Sequence, residues 1–297
     1  MKSVVVVGDL VTDILVRTAG AVAPDTDTDA RVTTAGGGAA ANTACWLAVA
    51  GAPTALVARV GADEAGRARS LELFAYGVDG HVATDDGQRT GTVVVLVGPD
   101  GRRSMLTDSA ASANLQPTDL PVELFGADAH LHLSGYTLLH EGSREAGRQA
   151  LWLARRSGMT VSVDAASAAP LARTGPAAFL DSVAGVDLLL ANTDEAAVLT
   201  GQPDPVGAAE ALGTWAEVAV VKAGADGAVW AGSRTGTYRC PATPAPVLDT
   251  TGAGDAFAAG LLADWLTRDA TPNTALVAGA GLAARAVTVM GGRPTID

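Results

Sequence analysis

Short runs of β-branched residues alternate along this chain with longer segments rich in alanine and leucine. The first kind of segment is typical of strands that are buried on both faces of a covered sheet. Six such runs are SVVVVGD, TALVARVG, AHLHLSG, MTVSVDA, VDLLLAN and EVAVVKAG. Helical segments such as AAANTACWLAVAG and SREAGRQALWLARRSG stand between them and end at glycine. This alternation predicts an α/β fold with a central, mostly parallel sheet that helices cover on both faces.

Two regions interrupt the alternation. Residues 14–35 are polar and rich in turn residues, and residues 89–107 are predicted to form a hairpin with a turn at GPDG. We interpret them as a small β-structure outside the main sheet, which serves as a lid over a binding site. A pair of surface insertions is the alternative. Because the chain shows no internal repeat and no low-complexity linker, we expect a single domain over residues 1–297 with this lid attached.

The composition argues against several classes of protein. Of the 297 residues, 48% are hydrophobic and 18% are charged, which is typical of a globular domain with a substantial core. The formal net charge of −12 would repel nucleic acids and anionic membranes, so we expect neither as a partner. Polar residues, glycine and proline interrupt the longest apolar stretches. No membrane span is therefore predicted, and we expect a soluble, cytoplasmic protein.

The segment DTTGAGDAF, residues 249–257, places three small residues before an aspartate at the start of an apolar helix. Backbone N–H groups at a helix N-terminus are unsatisfied donors, and the helix dipole adds positive charge there. Gly252, Ala253 and Gly254 therefore predict an anion-binding turn, and Asp255 beside it is a candidate general base. The alternative is that Asp255 only caps the helix. The chain has neither a P-loop motif nor a complete dinucleotide fingerprint.

Further polar candidates follow a predicted strand or a glycine-rich turn. Asp9 and Asp13 are four residues apart after SVVVV, and alternation along one strand is expected to put both on one face. They either accept hydrogen bonds from a polyol or are solvated at a strand end. Asn42 in GGGAAANTA offers a donor and acceptors beside glycines that permit close approach of a ligand. A flexible loop followed by a packing helix is the alternative there.

Asn192 and Glu195 in NTDE come directly after the strand VDLLLA. Their side-chain oxygens, or waters bound to them, suit Mg²⁺. The same two residues also form a capping box for the next helix, which is the alternative. His130 and His132 share a strand face in AHLHLSG, but without an apparent third ligand we expect them to pack rather than bind a metal.

The order of these motifs is more specific than any one of them. From VVVVGDLVTD to VTVMGGRPT, nearly end to end, the chain resembles the PfkB carbohydrate kinases, also called the ribokinase-like family. GGGAAANTA is similar to the N-terminal signature of that family, and DTTGAGDAFAAGLL is similar to its C-terminal signature. NTDE matches its N-x-x-E motif, and VVKAGADGAVW resembles the strand and turn near its nucleotide site. The resemblance implies a ribokinase-like three-layer α/β/α fold with a small β lid.

The resemblance also implies roles for individual residues. Asp255 would be the general base, and the backbone of Gly252, Ala253 and Gly254 would stabilise the transferring phosphoryl group. The residues implied to bind substrate are Asp13, Gly37, Gly38 and Asn42. The residues implied to lie near ATP are Lys222, Gly224 and Gly227. The residues implied to hold cations are Asn192 and Glu195 for Mg²⁺, through water, and Asp249 and Thr251 for a monovalent cation such as K⁺, with the loop over residues 291–295.

The implied reaction is in-line transfer of the γ-phosphoryl group of ATP to a hydroxyl group of a small carbohydrate. Ala39 and the pair Gly135–Tyr136 depart from the ribokinase pattern, which argues against strict ribokinase activity. Arg102 and Arg103 on the predicted hairpin either meet an acidic or phosphorylated substrate or are solvated. The alternatives are a nucleoside kinase of the same fold and a relative that binds its ligand without turnover. A homodimer through the lid is a further expectation, since the lid forms a dimer contact in some relatives.

Overall fold

The chain folds into a large sheet, a smaller sheet and the helices that cover the large one. The structure is a computed structural model that describes residues 2–98, 103–267 and 270–296. The strands in those residues are β1 (Ser3–Val7), β2 (Val11–Thr18), β3 (Ala30–Gly37), β4 (Thr54–Gly61), β5 (Asp79–Asp85), β6 (Thr92–Val97), β7 (Arg103–Asp108), β8 (Ala129–Ser134), β9 (Thr160–Asp164), β10 (Val186–Asn192), β11 (Ala216–Lys222), β12 (Ala228–Gly232) and β13 (Gly236–Cys240). The α-helices in the same residues are α1 (Ala39–Val49), α2 (Glu64–Ala75), α3 (Tyr136–Leu139), α4 (Arg144–Arg156), α5 (Ala168–Thr174), α6 (Pro176–Val183), α7 (Thr193–Thr200), α8 (Pro205–Leu212), α9 (Ala253–Trp265) and α10 (Pro272–Ala286).

The large sheet has the strand order β13-β12-β11-β10-β9-β8-β1-β4-β5. Neighbouring strands from β11 to β5 are parallel, whereas the β11–β12 and β12–β13 pairs are antiparallel. The prediction of a mostly parallel sheet is therefore confirmed, with an antiparallel hairpin added at one edge.

Helices cover both faces of this sheet because its strands are apolar on both sides. Along β1, Val5 and Val7 belong to one core, and Val4 and Val6 belong to the other. All four are at most 2% exposed. Successive side chains of a strand point to opposite faces, so one run of valines serves both cores. Helices α3 to α8 pack on one face and α1, α2, α9 and α10 on the other, which is the predicted three-layer α/β/α fold.

The two regions that interrupt the alternation form the small sheet, with strand order β3-β2-β6-β7. β6 and β7 pair as the predicted antiparallel hairpin, and β2 joins them through a parallel pairing with β6. The sheet extends beyond the predicted boundaries, since β2 begins at Val11 and β3 continues to Gly37. Most of the predicted turn at residues 98–101 lies outside the described residues, as do Arg102 and the side chain of Arg103. The role of this sheet as a lid stays a prediction.

Asp9 and Asp13 do not share a strand, so the prediction from strand alternation is wrong. β1 ends at Val7, Asp9 lies in the bend that follows, and Asp13 belongs to β2 of the small sheet. The bend forms because Asp9 accepts hydrogen bonds from the backbone N–H groups of Ala39 and Ala40, at 2.6 and 3.3 Å. Both carboxylates still border one cavity. They meet there because the chain passes from the large sheet to the small sheet between them, and not because they alternate along one strand.

Helix α9 carries the GAGD turn and is held rigidly. It is buried continuously from Ala256 to Ala263 and packs in the same core as α1 and α10. A helix buried over most of its length has little freedom to move, so its first turn is fixed relative to the sheet. None of the helices within the described ranges has both the length and the apolar character needed to cross a lipid bilayer.

Candidate active site

Polar side chains from several strands meet at one edge of the large sheet. Parallel strands end at the same edge, and α/β proteins bind ligands where the strand order reverses. That reversal lies between β1 and β8, which are neighbours in the sheet but are separated in the chain by the small sheet and by β4 and β5. The polar residues at or just after strand ends here are Asp9, Ser134, Asp164, Asn192 and Lys222. Each of them borders a cavity at this edge.

The N-terminus of α9 faces the same edge and has no side-chain cap. Gly252 adopts a φ of 72°, and a Cβ on it would overlap Gly292, so this turn requires glycine. The Lys222 ammonium lies beside the turn, because a Cβ added to Gly254 would be 3.3 Å from its Nζ atom. Uncapped backbone donors, the helix dipole and an ammonium group together favour an anion over Gly252, Ala253 and Gly254.

Asp255 lies in the first turn of α9 and does not cap the helix. Its Oδ2 atom accepts a hydrogen bond of 2.9 Å from Nδ2 of Asn42, which comes from α1. Burial raises the pKa of Asp255 to about 7, and the Asn42 hydrogen bond opposes that shift. A carboxylate with a pKa near neutrality can accept a proton and release it again. The Asn42 side chain is therefore directed at Asp255, and its Oδ1 atom is buried with no hydrogen-bond partner among the residues that the structure describes.

Lys222 and Asp164 form an ion pair at the ends of β11 and β9. Nζ of Lys222 lies 2.5 Å from Oδ2 of Asp164, and both side chains are more than 80% buried. Burial disfavours the ammonium, but the carboxylates of Asp164 and Glu195 outweigh it and raise the pKa of Lys222. The Lys222 ammonium therefore stays charged at this edge of the large sheet.

Asn192 and Glu195 form the capping box of α7 that was the alternative interpretation. The Asn192 backbone N–H donates to Oε2 of Glu195 at 2.8 Å, and the Glu195 N–H donates to Oδ1 of Asn192 at 2.9 Å. Nδ2 of Asn192 also donates to Oε1 of Glu195 at 2.6 Å. Burial and the nearby Asp164 raise the pKa of Glu195. The described residues contain no group of three or more His, Cys, Asp or Glu side chains that could hold a metal directly.

A polar cavity of about 390 Å³ lies between the large and small sheets, and we call it the acceptor cavity. Its acidic lining residues are Asp9, Asp13, Asp194, Glu195 and Asp255. Hydroxyl groups come from Ser109, Ser112 and Tyr136, and Gly38 contributes backbone. In the described part of the chain no lysine or arginine borders it. The cavity thus presents many hydrogen-bond acceptors to a ligand.

Asp13, on β2 of the small sheet, is a deeply buried carboxylate of the acceptor cavity, with 5% of its surface exposed. Its side chain lies over Gly37, where a Cβ would overlap all three carboxylate atoms. Burial raises the pKa of Asp13 to about 7, and Arg293 opposes that shift. Gly37 therefore acts by making room for Asp13 and does not itself border the cavity.

An apolar cavity of about 500 Å³ lies on the other side of Lys222, and we call it the donor cavity. Its lining residues include Gly224, Gly227, Val247, Phe257 and several alanines. A third, polar cavity of about 430 Å³ is lined by Asp164, Asn192 and Glu195, and we call it the phosphate cavity. Lys222 and Gly254 border both the donor cavity and the phosphate cavity. A flat apolar group in the donor cavity can therefore extend an anionic tail toward the N-terminus of α9.

Asp249 and Thr251 are buried just before α9. Oδ1 of Asp249 accepts hydrogen bonds from the backbone N–H and hydroxyl groups of Thr251, and Oδ2 accepts one of 2.9 Å from the Gly291 N–H. Among the described residues, Asp249 makes no ion pair within 4.0 Å. A buried carboxylate of this kind is a suitable ligand for a monovalent cation.

Several residues of this site were not singled out from the sequence. Asp164 ends β9, and an acid directly after a buried strand was the signal that could have identified it. His140 directly follows the four-residue helix α3 and stacks on Tyr136 at 6.0 Å in the acceptor cavity, and such a short helix has no sequence signature. Arg293 reaches the site from the C-terminal loop. His130 and His132, in contrast, are buried and hydrogen-bond to Ser162, in agreement with packing.

Comparisons with known proteins identify carbohydrate kinases and an adenosine kinase as similar to this chain. The chain is 33% identical over 281 residues to a fructokinase from Klebsiella pneumoniae, covering 92% of this chain and 87% of that protein. The structure of adenosine kinase from Sinorhizobium meliloti superposes with a TM-score of 0.89 at 25% identity, covering 99% of this chain and 96% of the other. A fructokinase double mutant from Vibrio cholerae O395, solved with fructose, ADP and a potassium ion, gives a TM-score of 0.82 at 28% identity and covers 98% and 94% of the two chains.

A comparison with models of protein families covers the whole of the given sequence. The chain matches the family described as pfkB family carbohydrate kinase over residues 1–297. A match of that length includes both sheets, the GAGD turn and the NTDE segment. The predicted resemblance is thereby confirmed, and the chain belongs to the pfkB family of carbohydrate kinases.

Proposed function

We propose that the protein transfers the γ-phosphoryl group of ATP to a hydroxyl group of a small carbohydrate, with Asp255 as the general base. One observation carries this proposal. Asp255 and Gly254 border both the phosphate cavity and the acceptor cavity, so the base and the anion-binding turn stand where two ligands would meet. A phosphotransferase needs this arrangement, because the acceptor oxygen must approach phosphorus while it loses its proton.

The reaction can be written for the residues in place. Asp255 removes the proton of the acceptor hydroxyl, the oxygen forms a bond to the γ-phosphorus, and the bond from that phosphorus to the bridging oxygen of ADP breaks. Asn42 holds the Asp255 carboxylate at 2.9 Å in a fixed orientation. The backbone N–H groups of Gly252 and Gly254 donate hydrogen bonds to the transferring group, whereas the Ala253 N–H donates to the carbonyl oxygen of Thr250 at 3.3 Å. The Lys222 ammonium offsets the negative charge of the transferring group.

ATP is proposed to span the donor and phosphate cavities. The adenine ring fits the apolar lining that includes Val247 and Phe257, and Gly224 and Gly227 permit close approach of backbone. The triphosphate then lies along Lys222 toward the N-terminus of α9, where an anion is favoured. A similar protein of known structure was solved with ADP, which supports a nucleotide in this region.

Two cations are proposed to assist. Asn192 and Glu195 would hold Mg²⁺ through water, which suits a site without a cluster of direct ligands and an ion that keeps several waters. When bound, Mg²⁺ neutralises phosphate charge. The buried carboxylate of Asp249, with Thr251 and the loop at Gly291, would hold a monovalent cation such as K⁺, which stabilises the turn before α9.

The acceptor is proposed to be a carbohydrate whose hydroxyls donate to Asp13 in the acceptor cavity, where Gly38 permits close approach. D-fructose is the first compound to test, because two of the similar proteins are named fructokinase. A nucleoside is the second candidate, and the similarity to an adenosine kinase structure favours it. We also propose that the small sheet closes over this cavity as a lid.

A homodimer through the small sheet is a separate proposal. The strand register puts Ile14, Val16, Val94 and Leu106 on the face opposite the acceptor cavity. Leu106 is 59% exposed, and Val32, which pairs with Val16, is 56% exposed. An apolar face of this kind is suited to a second copy of the sheet. Sedimentation velocity of the wild type and of Leu106→Lys tests it, and a monomeric wild type would contradict it.

The test of the proposed function is ADP release from ATP and Mg²⁺ with a panel of acceptors. The panel contains D-fructose, D-ribose, 2-dehydro-3-deoxygluconate, ribose 1-phosphate and adenosine, each with and without K⁺. We expect one carbohydrate to be turned over, and identification of its phosphate ester by mass spectrometry completes the result. Turnover of adenosine alone would replace the proposal with the nucleoside kinase. Binding of ATP without turnover of any acceptor would contradict both.

A further inference from the structure

Two buried arginines near Asp13 of the acceptor cavity form ion pairs with the same glutamate. Arg69 on α2 and Arg293 in the C-terminal loop are 8% and 7% exposed. Nη2 of Arg69 lies 2.6 Å from Oε1 of Glu72, and Nη1 of Arg293 lies 2.9 Å from Oε2 of the same residue. Glu72 therefore bridges the two guanidinium groups and fixes Arg293 relative to α2.

This cluster has more positive than negative charge. Two guanidinium groups face the one carboxylate of Glu72. Nε of Arg293 and both Nε and Nη1 of Arg69 are buried with no hydrogen-bond partner in the described part of the chain. Buried cations are stable only where other charges or dipoles compensate them. The carboxylate of Asp13 is one group that supplies compensation, since Arg293 exerts the largest favourable charge effect on it.

Arg293 also contacts the backbone on which Asp13 rests. Nη2 of Arg293 donates a hydrogen bond of 3.2 Å to the carbonyl oxygen of Gly37. Gly37 is paired with Val11 at the start of β2, and the Asp13 carboxylate lies directly over it. One guanidinium group thus holds both the strand end and the electrostatic environment of this carboxylate.

Other charges around Asp13 act in both directions. Asp9 after β1 and Asp249 before α9 disfavour its ionised form, whereas Arg69 and Arg293 favour it. Burial is the largest influence and raises the pKa to about 7. Asp13 therefore stands near the point where it changes charge at neutral pH, and loss of one favourable cation would move it toward the protonated form.

The loop that carries Arg293 is itself anchored to the rest of the site. The Gly292 carbonyl accepts a hydrogen bond of 2.9 Å from Nε1 of Trp46 on α1, and the Gly291 N–H donates to Asp249. The guanidinium group is consequently held from both ends, by its own loop and by Glu72.

We propose that Arg293 is a positioning residue for carbohydrate binding, which holds Gly37 in place beneath the Asp13 side chain, with Glu72 fixing the Arg293 guanidinium group. The proposal rests on the proposed role of Asp13 in binding the acceptor. It assigns to Arg293 no contact with either ligand. Its loss should therefore weaken acceptor binding and leave nucleotide binding unchanged.

The first test needs no substrate. The carboxyl carbon of Asp13 is followed by ¹³C NMR in protein labelled at aspartate, and its signal is assigned by its loss in Asp13→Asn. Arg293→Gln should raise the Asp13 pKa by about one unit, Arg293→Lys should restore most of the wild-type value, and Arg59→Gln should leave it unchanged. Arg59 is the matched control, because it is a largely buried arginine paired with Asp119 at 2.8 Å and it borders none of the three cavities. An unchanged Asp13 titration in Arg293→Gln would overturn the electrostatic part of the proposal.

The second test is kinetic and uses the acceptor of the panel with the highest turnover. Arg293→Gln should raise its KM about fivefold at pH 7, because the ionised fraction of Asp13 falls from about one half to about one tenth. It should leave the KM for ATP unchanged and recover toward the wild type at pH 9, where Asp13 is ionised even without Arg293. Loss of kcat with an unchanged acceptor KM would mean a structural role and overturn the proposal. Asp13→Asn separates the two levels of inference. If it leaves the acceptor KM unchanged, the proposed role of Asp13 fails; if it raises KM while Arg293→Gln does not, only the role of Arg293 fails.

Discussion

The donor and acceptor sides of the cleft hold charge in opposite ways. The donor cavity is apolar and has one ammonium group, Lys222, at its inner end beside the uncapped N-terminus of α9. The acceptor cavity is lined by carboxylates and hydroxyls, and within the described residues its lining includes no lysine or arginine. An anion is favoured on one side and a donor of hydrogen bonds on the other, which is the basis for the proposal that ATP and the carbohydrate each bind on their own side.

The difference between the two sides also contributes to the raised pKa of Asp255. A carboxylate between an anion site and a group of acids is destabilised in its charged form, which contributes to its raised pKa together with burial. Changes to one side should therefore affect one ligand and leave the other unaffected.

Lys222→Met tests the donor side with the largest expected effect on one ligand. Removal of the ammonium leaves Asp164 unpaired and the phosphates without a counter-charge, so kcat/KM for ATP should fall about 100-fold. The dissociation constant of the acceptor should change less than threefold. Lys2→Met is the matched control, since these two residues are the only lysines in the chain. Equal losses for ATP and acceptor would contradict the separation of the two sides.

Asp13→Asn tests the acceptor side. The amide keeps the size of the side chain but removes a charged hydrogen-bond acceptor, so the acceptor KM should rise about 10- to 30-fold. Binding of ATP, measured by calorimetry, should be unchanged. The exposed Asp181→Asn on α6 serves as the control. A change in ATP affinity larger than that of the acceptor would reverse the assignment of the cavities.

The pH dependence should differ between the two sides. Asp13 and Asp255 must be ionised to act, and burial raises the pKa of each to about 7, so acceptor binding and kcat should fall about tenfold per pH unit below that value. Binding of ATP without Mg²⁺ should not show this loss, because the Lys222 ammonium remains protonated. The stability of the fold should depend on pH in the opposite direction to activity. Because the pKa of Asp13 is higher in the folded than in the unfolded chain, its contribution to stability is fully present below the unfolded pKa and is lost as the pH rises through about 7. Asp13→Asn should accordingly raise Tm at pH 8, and a lower Tm there would contradict the assignment.

Val247→Ala should have the smallest effect. Val247 borders the donor cavity and is 68% exposed, so two methyl groups are lost from one side of an adenine ring. The KM for ATP should rise about threefold, from roughly 0.7 kcal/mol of lost apolar contact. Acceptor kinetics measured in parallel should be unchanged. A substantial rise in the acceptor KM would show that the donor cavity does not act alone.

The donor side could be predicted from the sequence better than the acceptor side. Gly252 to Asp255 form one continuous motif whose geometry follows from the start of a helix, so their arrangement needed no distant contact. Lys222 ends a strand that its valines identify, although its pairing with Asp164 joins residues 58 positions apart and leaves no local pattern.

The acceptor side depends on contacts between distant segments. Asp13 reaches the cavity by a change from one sheet to another, which strand alternation did not predict. Arg293 contacts Gly37 across 256 residues, and such a contact has no sequence signature. For Asn192 and Glu195 the capping box is present, as the local spacing predicts, and a capping box is compatible with Mg²⁺ held through water.

The central claim is that Asp255 removes the acceptor proton at the boundary between the two sides. The most direct measurement is single-turnover phosphoryl transfer by Asp255→Asn with ATP and acceptor both saturating, beside the dissociation constant of each ligand. We predict a rate about 10² to 10⁴ lower than that of the wild type, with both dissociation constants within threefold of it. A transfer rate near that of the wild type would show that another group accepts the proton and would contradict the account.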